Sequence, residues 1–228
     1  MKQNIVIATI KSWNLENFKK LEHEKFNFIL IDKKDDLNSK NLEKIAPKFI
    51  FFPHWSWIIP DEIFAKYECI IFHTSDLPFG RGGSPVQNLI SVGIYKTKIT
   101  ALRATKELDA GDIYLKRSIN LSSGSATQIF KKISKIIFFK MIPAILNKNL
   151  KPKKQIGEAV TFKRRTAEQS DLETLSEPSL RKIYDLIRML DGEGYPKAFL
   201  KFGNFNIKFS SVKMKNNKLS GRFEIDED

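Results

Sequence analysis

Two short stretches hold the side chains best suited to chemistry. FHTSDLPFGRGGSP runs from Phe72 to Pro85 and sets His73 ahead of a loop carrying Gly80, Arg81, Gly82 and Gly83. ELDAGD sets Asp109 in a tight acidic turn before Gly111. Imidazole is the side chain whose ordinary titration range spans neutrality, and a neighbouring carboxylate orients it and stabilises its charged form. Two carboxylates compete for that place, Asp76 in the loop and Asp109 in the turn. Glycines in the loop let backbone approach a ligand closely. The chemistry these residues suit is proton transfer at a bound substrate.

Other groups are weaker candidates. His23 lies in KLEHEKF, where charge on both sides predicts a solvent-facing position, and His54 follows Pro53 in PHWSWIIP. Trp55 and Trp57 beside it suit core packing, a contact between copies, or the wall of a pocket for a flat ligand. One cysteine and three histidines without ligand spacing predict no metal site. No G-x-S-x-G elbow supports a serine hydrolase. No G-x-G-x-x-G follows the first apolar run and no phosphate loop occurs, so a nucleotide held in such a loop is not expected.

The elements that must position these groups alternate in type. Apolar runs NIVIATI, NFILID, KFIFFP and CIIFH read as strands, with NLENFKKLEHEKF, LNSKNLEKIAP and PDEIFAKY as helices between them. That order predicts an α/β fold, a Rossmann-like, mostly parallel sheet with flanking helices. In such sheets ligands sit beyond the carboxyl ends of the strands, where His73 and HWSW both fall. Further on, SPVQNLISVG reads as a helix, KTKITALRAT and DIYLKRSINL as strands, and GSATQIFKKISKIIFFKMIPAILN as the longest helix, capped by Ser125. FKRRTAEQSDLETL reads as a polar linker. SLRKIYDLIRMLD and the alternating run after Lys197 predict a helix and antiparallel strands, a small C-terminal α+β extension. Domain boundaries are expected at 1–175 and 176–228.

The 228 residues are 42% hydrophobic, enough for a real core, and carry a net charge of +13. Because the lysines are scattered, that charge fits a solvated surface first, an anionic ligand second and nucleic acid third. The lone Cys69 suggests a reducing compartment. No signal peptide or membrane span is legible, so a cytoplasmic protein without a membrane partner is expected.

FHTSDLPFGRGGSP followed by ELDAGD resembles the formyltransferases that use N10-formyltetrahydrofolate. Their loop reads roughly N-x-H-x-S-L-L-P-x-Y-R-G-x-x-P, matched here at His73, Leu77, Pro78, Arg81, Gly82 and Pro85, with Asp109 and Gly111 matching the later D-x-G turn. The 36 residues from His73 to Asp109 also agree. The resemblance covers roughly residues 1–175. It implies that His73 takes part in moving the amine's proton, and that Asp109 holds and charge-stabilises it. It implies that Ser56, Trp57, Ile58 and Ile59 cradle the folate, with Thr105, Lys106, Glu107 and Leu108 giving backbone contacts to the pterin. One departure stands out: where the family has an asparagine that helps hold the formyl oxygen, this chain has Ile71. Protonated His73, a water, Asn88 or a backbone N–H of the glycine loop could substitute.

The form LPFGRGGSP and the short C-terminal piece are most similar to sugar-nucleotide N-formyltransferases of the pseudaminic-acid-pathway type. That implies a UDP- or dTDP-linked amino sugar as acceptor and no nucleic-acid partner. Ser75, Arg81, Gly82, Gly83, Asn88, Lys163, Arg164 and Arg165 would meet this acceptor, the arginines and lysine at its phosphates, although Arg81 could equally lock its own loop and FKRR could be a solvated linker. The alternatives are a methionyl-tRNA formyltransferase-like enzyme and a folate or nucleotide binder without turnover. The apolar C-terminal strands leave room for a homodimer.

Overall fold

The computed structural model describes residues 2–148 and 150–227. In chain order the first elements are β1 (Gln3–Ala8), α1 (Ser12–Phe18), β2 (Phe26–Ile31), α2 (Ser39–Ile45), β3 (Phe49–Phe52), α3 (Asp61–Lys66) and β4 (Cys69–His73). Next come β5 (Phe79–Gly82), α4 (Pro85–Ser91), β6 (Lys96–Arg103), β7 (Ile113–Asn120), α5 (Ala126–Ile136) and α6 (Ile142–Lys148). The last are β8 (Val160–Phe162), α7 (Leu180–Leu190), β9 (Ala198–Phe202), β10 (Phe205–Lys215) and β11 (Lys218–Glu227). Six strands form one sheet in the order β2-β1-β3-β4-β6-β7. β1 pairs in parallel with β2 and β3, and β3 with β4, whereas β6 runs antiparallel to β4. The expected mostly parallel sheet with flanking helices is what forms. Ile5, Val6, Ile7, Ile50, Phe51, Cys69 and Ile70 are buried at its centre, as near-continuous apolar runs covered on both faces require.

The chain divides into two compact units: Met1–Arg81, Lys98–Ile119 and Lys131–Thr161 form the first, and Gly82–Thr97, Asn120–Phe130 and Phe162–Asp228 the second. The expected extension 176–228 lies wholly in the second unit. There α7, capped by the Ser179 hydroxyl on the Lys182 N–H, buries Leu186, Ile187, Met189 and Leu190. The antiparallel sheet β11-β10-β9 leaves Phe202, Phe205, Phe223 and Ile225 exposed.

Three elements differ from the sequence reading. The helix expected over Asn14–Phe26 stops at Phe18, where Lys20 and Leu21 N–H groups bond three residues back and the chain tightens out of the helix. The longest helix is interrupted by a π-helical turn, Ile137–Met141, just before Pro143, whose ring nitrogen has no N–H to give. The polar linker after Phe162 contains short 3-10 turns at Glu168–Ser170 and Leu172–Thr174.

His54 belongs to this framework. It sits just past β3 in the left-handed region, φ 52°. Its Nδ1 accepts from Trp13 Nε1 at 3.4 Å and lies 3.3 Å from Asn14 Nδ2, and Trp13 packs edge-on to its ring. Asn14 Nδ2 also donates to the Thr9 hydroxyl and the Pro53 carbonyl. The ring is therefore a neutral acceptor tying α1 to the end of β3. Burial, with Lys11 adding to it, pushes its pKa down to about 4. The unfolded chain takes up this proton near 6.5 and the folded chain only near 4, so stability falls as pH drops through that window. By linkage the loss is about 3 kcal/mol at most. Urea unfolding between pH 7 and pH 4 should show the decline. His54→Asn keeps an acceptor and tolerates the positive φ, and should flatten it.

Candidate active site

β4 delivers His73 at its carboxyl end. Phe52 of β3 lies beside Ile71 in parallel register, so the segment after β3 leaves from the same edge of the sheet as His73. Asp109 arrives by a different route. β6 is antiparallel, with Thr100 opposite His73 and Arg103 opposite Ile70, and the Ala104 N–H donates to the Cys69 carbonyl at the start of β4. The loop after Ala104 must therefore run back along β4, a strand rising roughly 3.3 Å per residue, to reach His73. The end of β6 is anchored for this by a bidentate pair, Arg103 Nε and Nη2 to the Glu68 carboxylate at 2.7 and 2.8 Å.

The returning loop is tight. Asp109 takes φ 54°, a conformation aspartate tolerates better than most residues. At Gly111 a Cβ would lie 1.9 Å from the Arg103 carbonyl oxygen, so only glycine fits. The outcome is a contact between two buried groups, His73 Nδ1 to Asp109 Oδ2 at 3.4 Å. On the other side of the ring, His73 Nε2 lies 2.7 Å from the Gly80 carbonyl. A carbonyl only accepts, so the Nε2 side must carry a proton to bond it, while Nδ1 faces a carboxylate. A neutral ring can satisfy one of these acceptors and a protonated ring both. Of the two carboxylates left open by the sequence, the structure gives Asp109. Burial pushes the Asp76 carboxyl upward, but Lys116 and Lys98 outweigh it and hold it below its usual range.

Gln155, which sequence reasoning missed, locks the loop. Its Nε2 donates to the Asp109 and Gly111 carbonyls at 2.7 and 2.9 Å, and its Oε1 accepts from Arg81 Nε and Nη2 at 3.2 and 2.9 Å. Arg81 Nη1 reaches Glu107 at 3.0 Å. The guanidinium is thus engaged on both edges and locks its own loop instead of waiting for a phosphate. No signal in the sequence marks Gln155, which lies 46 residues from Asp109 in a stretch of lysines.

The remaining expected site residues of the first unit divide by exposure. Ser75 is fully buried, its carbonyl accepts from the Thr100 hydroxyl, and its own hydroxyl has no hydrogen-bond partner among the described residues, so it is no surface contact for a substrate. Ser56, Trp57 and Ile58 are exposed, and Ile59 packs on the apolar cluster that also holds Trp55 and Ile71. Trp55 meets Trp57 edge-on with ring centres 4.8 Å apart, and its buried Nε1 has no hydrogen-bond partner among the described residues. Thr105, Lys106, Glu107 and Leu108 are exposed on the loop that carries Asp109, with the Thr105 hydroxyl closing onto the Glu107 carbonyl. Ile71 offers no donor.

In the second unit, Gly82 and Gly83 follow Arg81 in sequence. A Cβ on Gly83 would meet the Arg164 Cα at 2.6 Å, and the Gly83 N–H donates to the Phe162 carbonyl. Asn88 Nδ2 donates to the Gly83 and Lys163 carbonyls, so its two protons are spent on holding the chain. Lys163 and Arg164 are exposed, and Arg165 is half-buried.

Comparison with known proteins identifies the family. A family described as "Formyl transferase" matches residues 12–136, and one described as "Methionyl-tRNA formyltransferase, C-terminal domain" matches 167–226. The solved methionyl-tRNA formyltransferase from Clostridium thermocellum is 52% identical, covers 99% of this chain and 100% of that one, and superposes with a TM-score of 0.94. The methionyl-tRNA formyltransferase of Mycoplasma capricolum is 30% identical over 218 residues, 92% of this chain and 66% of the relative. This chain thus spans just under two thirds of that protein's length, and about half the length of one from Bacillus thuringiensis. HypX from Aquifex aeolicus, solved with tetrahydrofolic acid, is 17% identical with a TM-score of 0.75 over 96% of this chain and 40% of that one, a likeness of fold.

These findings overturn the expected partners. The small C-terminal piece had argued for a nucleotide-linked amino sugar and against nucleic acid. That piece itself matches the C-terminal domain of methionyl-tRNA formyltransferases, and the 52% identity over both whole chains is to such an enzyme. The chain belongs to the formyl transferase family.

Proposed function

We propose that the protein moves a formyl group from N10-formyltetrahydrofolate to the amine of methionine carried on tRNA. The observation that carries the reading is the buried contact between His73 and Asp109 in a chain of this family. The choice of acceptor is supported by the 52% identity to the Clostridium thermocellum enzyme over both whole chains.

The surroundings fit a folate. Trp57, Ile58 and Leu108 leave apolar surface uncovered, and the buried Trp55 N–H lacks an acceptor among the described residues, one that a heteroaromatic ligand could supply. Bound N10-formyltetrahydrofolate supplies the formyl carbon that the incoming amine attacks. His73 receives the proton that this amine sheds, and Asp109 balances the charge the ring then carries. A substrate amine that reaches Nε2 takes the place of the Gly80 carbonyl, and the neutral ring then keeps its one proton on Nδ1 towards Asp109, leaving Nε2 free to accept. From the ring the proton passes to the departing nitrogen, so the site ends in the state it began. Ile71 cannot steady the formyl oxygen, whereas the protonated ring can donate to it. A second reading, ligand binding without turnover, is favoured by Ile71 alone.

Formyl transfer to methionyl-tRNA, followed by mass gain on the methionine, tests both readings. His73→Ala should lower turnover by about 10²–10⁴-fold while tetrahydrofolate still binds, and unchanged turnover would remove His73 from the mechanism. Asp109→Asn keeps size and backbone but not charge, and should cost about 10²-fold or more. Gln155→Glu keeps the acceptor for Arg81 but loses the donor to Asp109 and Gly111. It should lower kcat about tenfold with the donor KM and Tm little changed. Ile71→Asn restores the family's donor and should raise kcat. If wild type is inert and Ile71→Asn turns over, binding without turnover is the better account.

A further inference from the structure

We infer that a cavity in the second unit is a phosphate pocket that takes a nucleotide of an RNA strand. The inference names a contact for the tRNA acceptor and rests on the function proposed above. The cavity measures about 620 Å³, within the range that holds a small ligand. Its floor is apolar, from Ile90, Leu186 and Met189, and its wall includes Tyr95.

Charge sets its ligand class. Three cations line the cavity, Arg165, Arg181 and Lys182, against one carboxylate, Asp185. That carboxylate is already taken: Oδ2 accepts from the Tyr95 hydroxyl at 2.5 Å and from Arg181 Nε at 2.7 Å, and Oδ1 from Arg188 Nε at 2.6 Å. Arg188 is buried behind the wall, so one acid answers two guanidinium groups. Lys182 donates to the Ser176 and Glu177 carbonyls and lies 3.9 Å from the Glu177 carboxylate, a long, solvent-exposed pair that screens it only weakly.

Arg165 is the most exposed to this imbalance. Its side chain donates only from Nη2, to the Gln169 carbonyl at 2.6 Å, and no carboxylate among the described residues pairs with it. Burial works against its charged form. A half-desolvated guanidinium without an anion is costly, and its free edge suits the oxygens of a phosphate. Cations approaching from two chain segments suit an oxyanion with several acceptors, and the apolar floor suits a sugar or base attached to it. A free nucleotide shares that chemistry, so the test must separate the two sources.

The full chain should be titrated with unacylated tRNA across a salt series, and separately with AMP and with inorganic phosphate by phosphorus NMR. Arg165→Gln should weaken tRNA binding about tenfold and reduce the salt slope by about one. Ser176→Glu, at an exposed rim position, adds a carboxylate without touching the core and should repeat the loss. Unchanged affinity and slope in both variants overturn the pocket. If AMP or phosphate binding depends on Arg165 while tRNA binding does not, the ligand is a free nucleotide and the RNA assignment falls. Should tRNA affinity depend on Arg165 while wild type fails to formylate methionyl-tRNA, the pocket stands and the proposed function falls.

Discussion

Everything at the site depends on bringing a carboxylate to His73 from the wrong direction. β6 is antiparallel, so the chain that carries Asp109 leaves the sheet beside the start of β4, not beside His73. The return demands three concessions from the sequence. Gly111 gives up its side chain to pass the Arg103 carbonyl, Asp109 accepts a left-handed backbone, and Gln155 spends both amide protons on the loop's carbonyls. Each fits a loop built for position instead of stability, since none of the three buries apolar area. The same clamp takes in Arg81, so the loop after His73 and the loop before β7 are held as one piece. A buried ion-pair-like contact is weak evidence for stability, and its retention here is better explained by the ring it orients.

Much of this was legible in the residues. Alternating apolar runs and helical segments give the sheet because strands covered on both faces need side chains apolar at every position. His73 could be placed at a strand's end because CIIFH stops where polar residues begin. The choice of Asp109 over Asp76 was not decidable from spacing, since it turns on Lys98 and Lys116, which capture Asp76 from β6 and β7. Gln155 was invisible for the same reason: its role is made by a contact across 46 positions. Where local sequence was read too literally, tertiary structure won. The helix after β1 ends at Phe18 although charged residues continue the pattern, and the long helix yields to a π-turn near Pro143.

The acceptor was misjudged by a comparison of sizes. Only about fifty residues follow position 175, and that short extension is what points the sequence reading to a sugar nucleotide and away from nucleic acid. Length is a poor guide to a polyanion partner, because affinity for it comes chiefly from charge and phosphate contacts, not from buried area. The net charge of +13 was discounted because its lysines are scattered along the chain. Scatter in sequence says little about clustering in space. Arg165 comes from the segment after β8 and the adjacent Arg181 and Lys182 from α7, yet all three line one cavity.

Ile71 shows how the core and the chemistry compete for one strand position. Its side chain packs on the cluster of Val6, Phe52, Cys69 and Ala104, the interior on which β4 rests. An asparagine there would put an amide against that cluster and need partners for both its ends, or cost about 1–3 kcal/mol. Isoleucine removes the cost and with it a donor. Among the described residues, a titratable donor near this strand end is the ring of His73, two residues on and already set between acceptors. In the proposed reaction, such an arrangement has one group both receive the proton and steady the negative charge that builds on the formyl oxygen. The two duties are compatible in sequence: the ring becomes a donor on both sides only once it has taken the amine's proton, when the oxygen is most in need of one.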